Sequence, residues 1–371
     1  MKNTKILIKT KSKSYPIYFG DKTINRIGPL IRKNLPDVKK ICIICDKNLP
    51  SLILQKIRKS LKKYNPIIFN LLANEKIKSF ESANKIINTL LVNNFNRSDC
   101  IIALGGGTLG DLSAFVSSVT KRGLKFINIP TTLLAQSDAS IGGKTAINSK
   151  HGKNLIGTFY QPDFVLIDMS ILNSLPKREI ICGYGEILKH SLIVDKKFFL
   201  WLCKNAKKII NEKDKNLLNK AIIKSCKIKS KIIIKDEKEK NLRMILNFGH
   251  TFAHGFEGAK NYSRKINHGE AVLLGMMIAS QLSYKKKLLS MQDLILIKKH
   301  YLNLNLPMKI KKFFKKNEVN KIVNFMKRDK KNLDDKINLI LIKNIGRVTK
   351  PNNFSINAGE LKKFLISLYL E

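Results

Sequence analysis

Three of the six histidines fall in one stretch, Leu246-Asn247-Phe248-Gly249-His250-Thr251-Phe252-Ala253-His254 and on to Asn267-His268-Gly269-Glu270. His250 and His254 are four apart, so on a helix they share one face. His268 heads an apolar run, Ala271 to Met277, that reads as a second helix. Imidazoles held on two neighbouring helices are one way a chain without disulfides builds a divalent-metal site. The same spacing fits two helix N-termini carrying ordinary core or surface histidines. It is not the zinc-protease signature, because Thr251 stands where that motif needs a glutamate as general base.

A second chemical stretch follows the apolar strand Cys100-Ile101-Ile102-Ala103-Leu104. Gly105, Gly107 and Gly110 satisfy G-x-G-x-x-G, with apolar-periodic Leu112 to Val119 after them. Between strand and helix, such glycines let backbone approach a pyrophosphate, and the helix N-terminus favours its charge. A tight glycine turn is the other reading. No acid follows about 20 residues on to take a ribose; Asp46, at an earlier strand end, is the well-placed one. Beyond Pro130 comes a polar run with Thr131-Thr132, Gln136, Asp138, Gly142-Gly143-Lys144-Thr145, Asn148 and Gly152-Lys153-Asn154. Gly-Gly-Lys-Thr is not a P-loop, since Asp138 occupies the first glycine position. Lysines, threonines and an asparagine in a loop at strand ends still suit an anion.

These groups need a frame. Lys5 to Phe19 reads as two strands, with Asp21 capping the helix that follows. Ile41-Cys45, Ile67-Leu72, Phe126-Pro130 and Phe164-Asp168 read as further strands, and Pro50-Leu61 and Ser79-Asn93 as helices. Alternating strands and helices mean βαβ units with a sheet covered on both faces. From Pro176 the period becomes helical, and Glu186 and Lys189 become neighbours on one face. The tail suggests a short strand pair from Leu339-Ile342 through Val348. The expected division is 1–176, an α/β domain, and 177–371, a mainly helical one.

The chain has 371 residues and is 44% hydrophobic, enough for a substantial core rather than general disorder. Its formal net charge is +43. The lysines are spread along the whole chain and share it with abundant Ile and Asn, which A/T-only codons also encode. Composition bias therefore competes with, and outranks, nucleic-acid binding, which predicts one basic face with interleaved aromatics. The six cysteines lie mostly in apolar runs, and Cys42 and Cys45 point to opposite faces of a strand. That pattern suits a reducing cytoplasm. No signal-peptide core or bilayer-length apolar run is present.

Together the motifs resemble the 3-dehydroquinate synthase family over nearly the whole length and in order. They are Gly105-Gly106-Gly107-Thr108-Leu109-Gly110-Asp111, Ile129 to Gln136, Gly142-Gly143-Lys144-Thr145, Gly152-Lys153-Asn154, Gly185-Glu186-Ile187-Leu188-Lys189, Leu246 to Thr251, His268-Gly269-Glu270-Ala271 and Asp329-Lys330-Lys331. The resemblance implies a Rossmann-like NAD-binding α/β N-terminal domain and a mostly α-helical C-terminal metal-binding domain. It implies a homodimer using NAD and Zn²⁺ (or Co²⁺), with a sugar acid phosphate substrate and neither nucleic acid nor membrane as partner. The implied reaction turns 3-deoxy-D-arabino-heptulosonate 7-phosphate into 3-dehydroquinate and phosphate, with oxidation at C5, phosphate loss, re-reduction and aldol closure.

By motif, the implied metal ligands are Glu186, His250 and His268. Lys144, Asn154, Arg243, Asn247, His254 and one of Lys330 and Lys331 would grip phosphate, with Arg122 reaching across a dimer. Asp138, Lys153, Lys189 and Lys229 would orient the carboxylate and hydroxyls. NAD would lie along Asp46, Glu75, Lys78, the turn Gly106-Gly107-Thr108-Leu109-Gly110-Asp111, Thr131-Thr132 and Ser174, near Lys144 and Lys153. The chain departs from the family pattern at Ala73-Asn74, where Asp-Gly is usual, and at His190-Ser191, where Tyr-Gly is usual. A sister sugar-phosphate cyclase would share the metal and NAD motifs but lack groups that read a substrate carboxylate. A polyol dehydrogenase would need no phosphate cluster.

Overall fold

The computed structural model describes residues 4–263, 265–327 and 336–370. The chain forms two compact units, Met1–Pro176 with Ile222–Lys238, and Lys177–Ala221 with Glu239–Glu371. The sequence period assigns 177–371 to one domain, but the structure packs Ile222–Lys238 into the first unit. The reason is local. Lys229 Nζ donates to the Asp138 carbonyl at 2.8 Å and Cys226 Sγ to that of Gln136 at 3.3 Å.

In the first unit, β1 (Thr4–Lys9), β2 (Ser14–Gly20), β3 (Ile41–Asp46), β4 (Ile67–Leu71), β5 (Cys100–Gly105) and β6 (Lys125–Pro130) join one sheet. β7 (Ile147–Ser149) and β8 (Gly152–Ile156) make a separate hairpin, and β9 (Phe164–Asp168) returns to the sheet. The order is β1-β2-β9-β6-β5-β3-β4, antiparallel only at β1–β2. The central strands β3, β5 and β9 are buried along almost their whole length because both sheet faces are covered there. Ile41, Ile43, Cys45, Ile102 and Leu104 face one core, with α1 (Ile27–Asn34) and α2 (Ser51–Ser60). Cys42, Ile44, Ile101 and Ala103 face the other, with α3 (Phe80–Val92) and α4 (Gly107–Val119). Cys42 and Cys45 thus sit in opposite cores, as strand alternation requires. Each fully buried Leu or Ile contributes about 1.5–3 kcal/mol.

Asp21 does not cap the helical turn after β2. Lys22 there is left-handed, at φ 55°, and the Asp168 carboxylate takes the Lys22 and Ile24 amides at 3.1 and 3.0 Å. A buried acid at the end of a neighbouring strand replaces the local cap. The polar run after β6 is not a loop throughout: Ala135–Ala139 is a π-helical turn. Gln136, fully buried, donates to the Pro130 and Asp168 carbonyls at 3.1 and 2.9 Å, closing two strand ends. It is therefore structural.

The second unit is built on α5 (Lys177–Val194), α6 (Lys196–Lys207), the first turns of α7 (Lys215–Lys235), α8 (His250–Ala259), α9 (His268–Lys285), α10 (Met291–Asn303), α11 (Val319–Lys327) and α12 (Ala358–Ser367). The helix α9 starts in a capping box, in which the Asn267 side chain accepts from the Glu270 amide and Glu270 from that of Asn267. In the tail, Ile342–Asn344 pairs with Arg347–Val348, but Leu339 and Leu341 are buried outside any strand. Each still makes a backbone bond: the Leu339 amide donates to the Phe354 carbonyl at 3.0 Å, and the Leu341 carbonyl accepts from the Thr349 amide at 2.8 Å. Among the described residues no helix is long and apolar enough to cross a membrane.

Candidate active site

In the second unit, α9 packs on both α5 and α8, and glycines set how closely. A Cβ on Gly269 would lie 2.3 Å from the Cys182 Cα, and one on Gly249 would lie 2.6 Å from the Met276 Cγ. One on Gly185 would lie 3.1 Å from the Leu273 Cγ. Gly249 also has φ +81°, a region that favours glycine. These three glycines immediately neighbour Glu186, His250 and His268 in sequence. The close helix approach therefore delivers those three side chains to one point.

Ligand atoms of Glu186, His250 and His268 all lie within 4.8 Å of one another. Glu186 Oε1 is 3.5 Å from His250 Nε2 and 4.0 Å from His268 Nε2. Glu186 is 1% exposed, and its Oε1 makes no hydrogen bond among the described residues. An orphaned buried carboxylate oxygen facing two imidazole nitrogens fits a divalent cation. The buried Lys189 ammonium contacts the other oxygen of Glu186. His250 Nδ1 faces the Phe248 carbonyl at 3.4 Å, and His268 Nδ1 faces Glu257 Oε2 at 3.2 Å. Burial, the largest single influence, pushes the His268 pKa down, but the Glu257 and Glu186 carboxylates together outweigh it and the net shift is upward. With 38% of that side chain exposed, water screens both effects. His254 is exposed on α8, 6.1 Å ring to ring from His250. Arg243 is buried, and Asn247 donates to Glu239 Oε1 at 2.9 Å. Lys330, with Asp329 and Lys331, lies outside the described residues.

In the first unit the glycine turn opens α4. Neither Gly105, Gly106, Gly107 nor Gly110 has a positive φ; they serve close approach instead. A Cβ on Gly107 would stand 3.2 Å from the Ala139 Cβ, and one on Gly110 would stand 3.3 Å from Asn128 Nδ2. The Leu109 side chain is buried in the core, so only its backbone is available to a ligand. Thr108 is half-buried at the helix start, where amides lack intrahelical partners. Beneath the turn is a small cavity lined by Gly107, Gly110, Asn128, Ser140 and Lys144 among others. The buried Ser140 Oγ has no hydrogen bond among the described residues. A polar cradle with a glycine rim and an orphaned hydroxyl fits a polar cofactor.

A polar chain runs beside it. Lys78, 3% exposed, pairs with Asp111 at 2.7 Å and also contacts Asn154 Oδ1. Burial pushes the Asp111 carboxyl up more than Lys78 pulls it down, although its side chain keeps 27% exposure, which softens the effect. Asn148 donates to Glu75 Oε1 at 2.9 Å, and Lys153 lies 3.8 Å from Glu75 Oε2. Asp138 pairs with Lys229 at 2.9 Å. Thr131 is buried; Thr132 Oγ1 accepts from the Ala135 amide at 3.2 Å. Asp46 Oδ1 accepts from the Asn48 and Ala73 amides at 3.0 and 3.3 Å. Ser174 is exposed and donates to the Ile171 carbonyl. Arg122 is exposed with φ 63°.

A family model described as 3-dehydroquinate synthase N-terminal matches residues 68–182, and one described as 3-dehydroquinate synthase C-terminal matches 183–332. The 3-dehydroquinate synthase of Pelagibacter ubique is 50% identical over 342 residues, 92% of this chain and 93% of that one. The chain belongs to the 3-dehydroquinate synthase family. A second member, from Thermodesulfovibrio yellowstonii, is 39% identical over 97% of this chain and 99% of its own. Among solved structures, 2-deoxy-scyllo-inosose synthase complexed with carbaglucose-6-phosphate, NAD⁺ and Co²⁺ matches with TM-score 0.84. It is 25% identical and covers 98% of this chain and 100% of that one. The fold expected from the sequence, an α/β domain with a mainly parallel sheet and a helical C-terminal domain, is therefore the fold of the family.

Three features of this family member were not read from its sequence as parts of the site. Glu257, the acid kept where the family's Gly-His-Ala-x-Glu run reads Ala253-His254-Gly255-Phe256-Glu257, was given no role by that resemblance, yet it touches His268. Glu239 holds Asn247. Cys182 Sγ accepts from the Gly269 amide at 3.1 Å across two helices, for which no local pattern exists.

Proposed function

We propose that the protein is a carbon–oxygen lyase acting on phosphates, which converts 3-deoxy-D-arabino-heptulosonate 7-phosphate to 3-dehydroquinate and phosphate. The observation that carries this, within the family, is the convergence of Glu186, His250 and His268 around an orphaned buried carboxylate oxygen. Bound NAD and Zn²⁺ (or Co²⁺) supply a reversible hydride acceptor and an electrophile for the C5 oxygen. The residues that would hold the metal are Glu186, His250 and His268. Those that would hold NAD are the backbone from Gly106 to Gly110, with Asp111, Thr131-Thr132, Lys78, Glu75, Asp46 and Ser174.

The remaining polar groups divide the work. Lys144, Asn154, Arg243, Asn247 and His254, with one of Lys330 and Lys331, would bind the phosphate, whose departing charge suits cationic donors. The exposed His254 can also pass a proton to a phosphate oxygen. Lys189 compensates the buried Glu186 charge and, with Asp138, Lys153 and Lys229, would orient the substrate carboxylate and hydroxyls. We read the chain as a cytoplasmic homodimer in which Arg122 enters the partner subunit's site. Mixing inactive Arg122→Ala and His250→Ala chains should then restore activity in hybrid dimers through one undamaged site.

The test of the activity is incubation of purified protein with the heptulosonate phosphate, NAD and Zn²⁺, following phosphate and 3-dehydroquinate. Stoichiometric appearance of both is expected, with hexose phosphates left unchanged. Turnover of a hexose phosphate in place of the heptulosonate would move the protein to a sister cyclase.

A further inference from the structure

We propose that Glu257 is a positioning residue that fixes the tautomer of His268, presenting the ring's Nε2 lone pair to Glu186 and His250. The inference rests on reading that trio as a metal centre. His268 is the first residue of α9 and the more exposed of the two rings, at 38% against 14% for His250. Its backbone is fixed by the capping box, by the Gly269 amide on Cys182 Sγ, and by Arg178, which grips Glu270 at 2.6 and 2.8 Å. None of these contacts fixes the ring. Glu257 does, with Oε2 at 3.2 Å from Nδ1. Glu257 is 7% exposed, so its carboxylate is poorly placed to satisfy itself with water.

An acceptor at Nδ1 keeps the proton there and leaves Nε2 free of one. His250 is arranged alike, with the Phe248 carbonyl as its Nδ1 acceptor at 3.4 Å. Both Nε2 atoms then face Glu186 Oε1. Glu257 is not one of the converging groups; its contact is with the far side of the ring. It acts through His268.

The test compares Glu257→Met, which removes the acceptor, with Glu257→Gln, which keeps a neutral one. In metal-free protein, nitrogen-15 spectra of the imidazoles should show His268 protonated at Nδ1 in the wild type and in Glu257→Gln, and a loss of that preference in Glu257→Met. Titration with Co²⁺ should show affinity falling about 10–100-fold in Glu257→Met and recovering to within about 10-fold of wild type in Glu257→Gln. NAD affinity should not change in either. Wild-type Co²⁺ affinity in Glu257→Met, or an unaltered tautomer, would overturn the proposal. If Glu257→Met does not fold, Glu257→Gln decides: a kept Nδ1 proton with Co²⁺ affinity within about 10-fold of wild type supports the proposal, and loss of the Nδ1 preference with affinity unchanged overturns it. A wild-type chain that takes up neither Co²⁺ nor Zn²⁺ would instead bring down the metal reading.

Discussion

A Cβ on Gly275 would stand 2.2 Å from the carbonyl oxygen of Gly249. The helix that carries His268 thus passes against the backbone that immediately precedes His250. Neither backbone can yield cheaply, so Gly275→Ala should cost about 1–3 kcal/mol of stability by overpacking. It should also displace the two imidazoles and lower metal affinity. Gly359, a helical glycine with nothing within 4 Å of an added Cβ, is the control. Gly359→Ala should be neutral or stabilise by up to about 1 kcal/mol. Thermal unfolding and metal content of the two variants check this; equal behaviour would show that the crossing does not set the cluster.

The cluster itself is tested by His250→Ala. Its ring is 3.5 Å from Glu186 and its removal leaves one imidazole and one carboxylate. Metal content by elemental analysis should fall from near one per chain to well below it, while the far-ultraviolet circular dichroism stays that of the wild type. Dialysis against a chelator should abolish activity in the wild type, and added Zn²⁺ or Co²⁺ should restore it. Retained stoichiometric metal in His250→Ala would remove His250 from the ligand set.

The glycine turn makes a different demand. Gly107→Val would put methyl groups over the start of α4, beside Ala139, where a Cβ alone reaches 3.2 Å. Backbone approach by a pyrophosphate is then blocked. Calorimetry should show NAD affinity falling far more than that of a phosphonate substrate analogue. Equal loss of both would mean that the variant has misfolded locally and that the cofactor assignment has gained no support.

His300 should make stability depend on pH. It is 3% exposed, bonded through Nε2 to the Tyr184 hydroxyl at 2.7 Å, and burial pushes its pKa from 6.5 down to about 4. The unfolded chain binds this proton more tightly than the folded one. Stability from this group is therefore complete above pH 6.5 and is lost as pH falls toward 4, by up to about 3 kcal/mol. His300→Gln removes the titration and keeps a polar partner for Tyr184. Between pH 7 and 5 (about the window above the folded pKa) it should lose less stability in denaturant melts than the wild type. An identical slope would place the acid sensitivity elsewhere.

The sequence by itself determined the layers. Runs such as Cys100-Ile101-Ile102-Ala103-Leu104 have no polar face to give to water, so they had to be central strands. Chemistry-bearing motifs in order also determined the family, because spacing and residue type survive without coordinates. Local rules failed where a distant group took over. Asp21 read as a helix cap, but Asp168, far along the chain, supplies the carboxylate. Ile222–Lys238 carries a helical period like its neighbours, and bonds to residues far away in sequence, among them Asp138, Gln136 and, through Glu237, Ser12 and Gln161, tie it to the first unit. By spacing alone His250 and His254, four apart, share a helix face; only the family resemblance named Glu186, His250 and His268 together. Tertiary structure brings that trio together, since helix crossing geometry, set by Gly185, Gly249, Gly269 and Gly275, brings separate helices nearer than one helix brings its own side chains. Periodicity says which way a side chain faces along its own helix; which helix lies opposite is decided by close contacts between residues far apart in sequence.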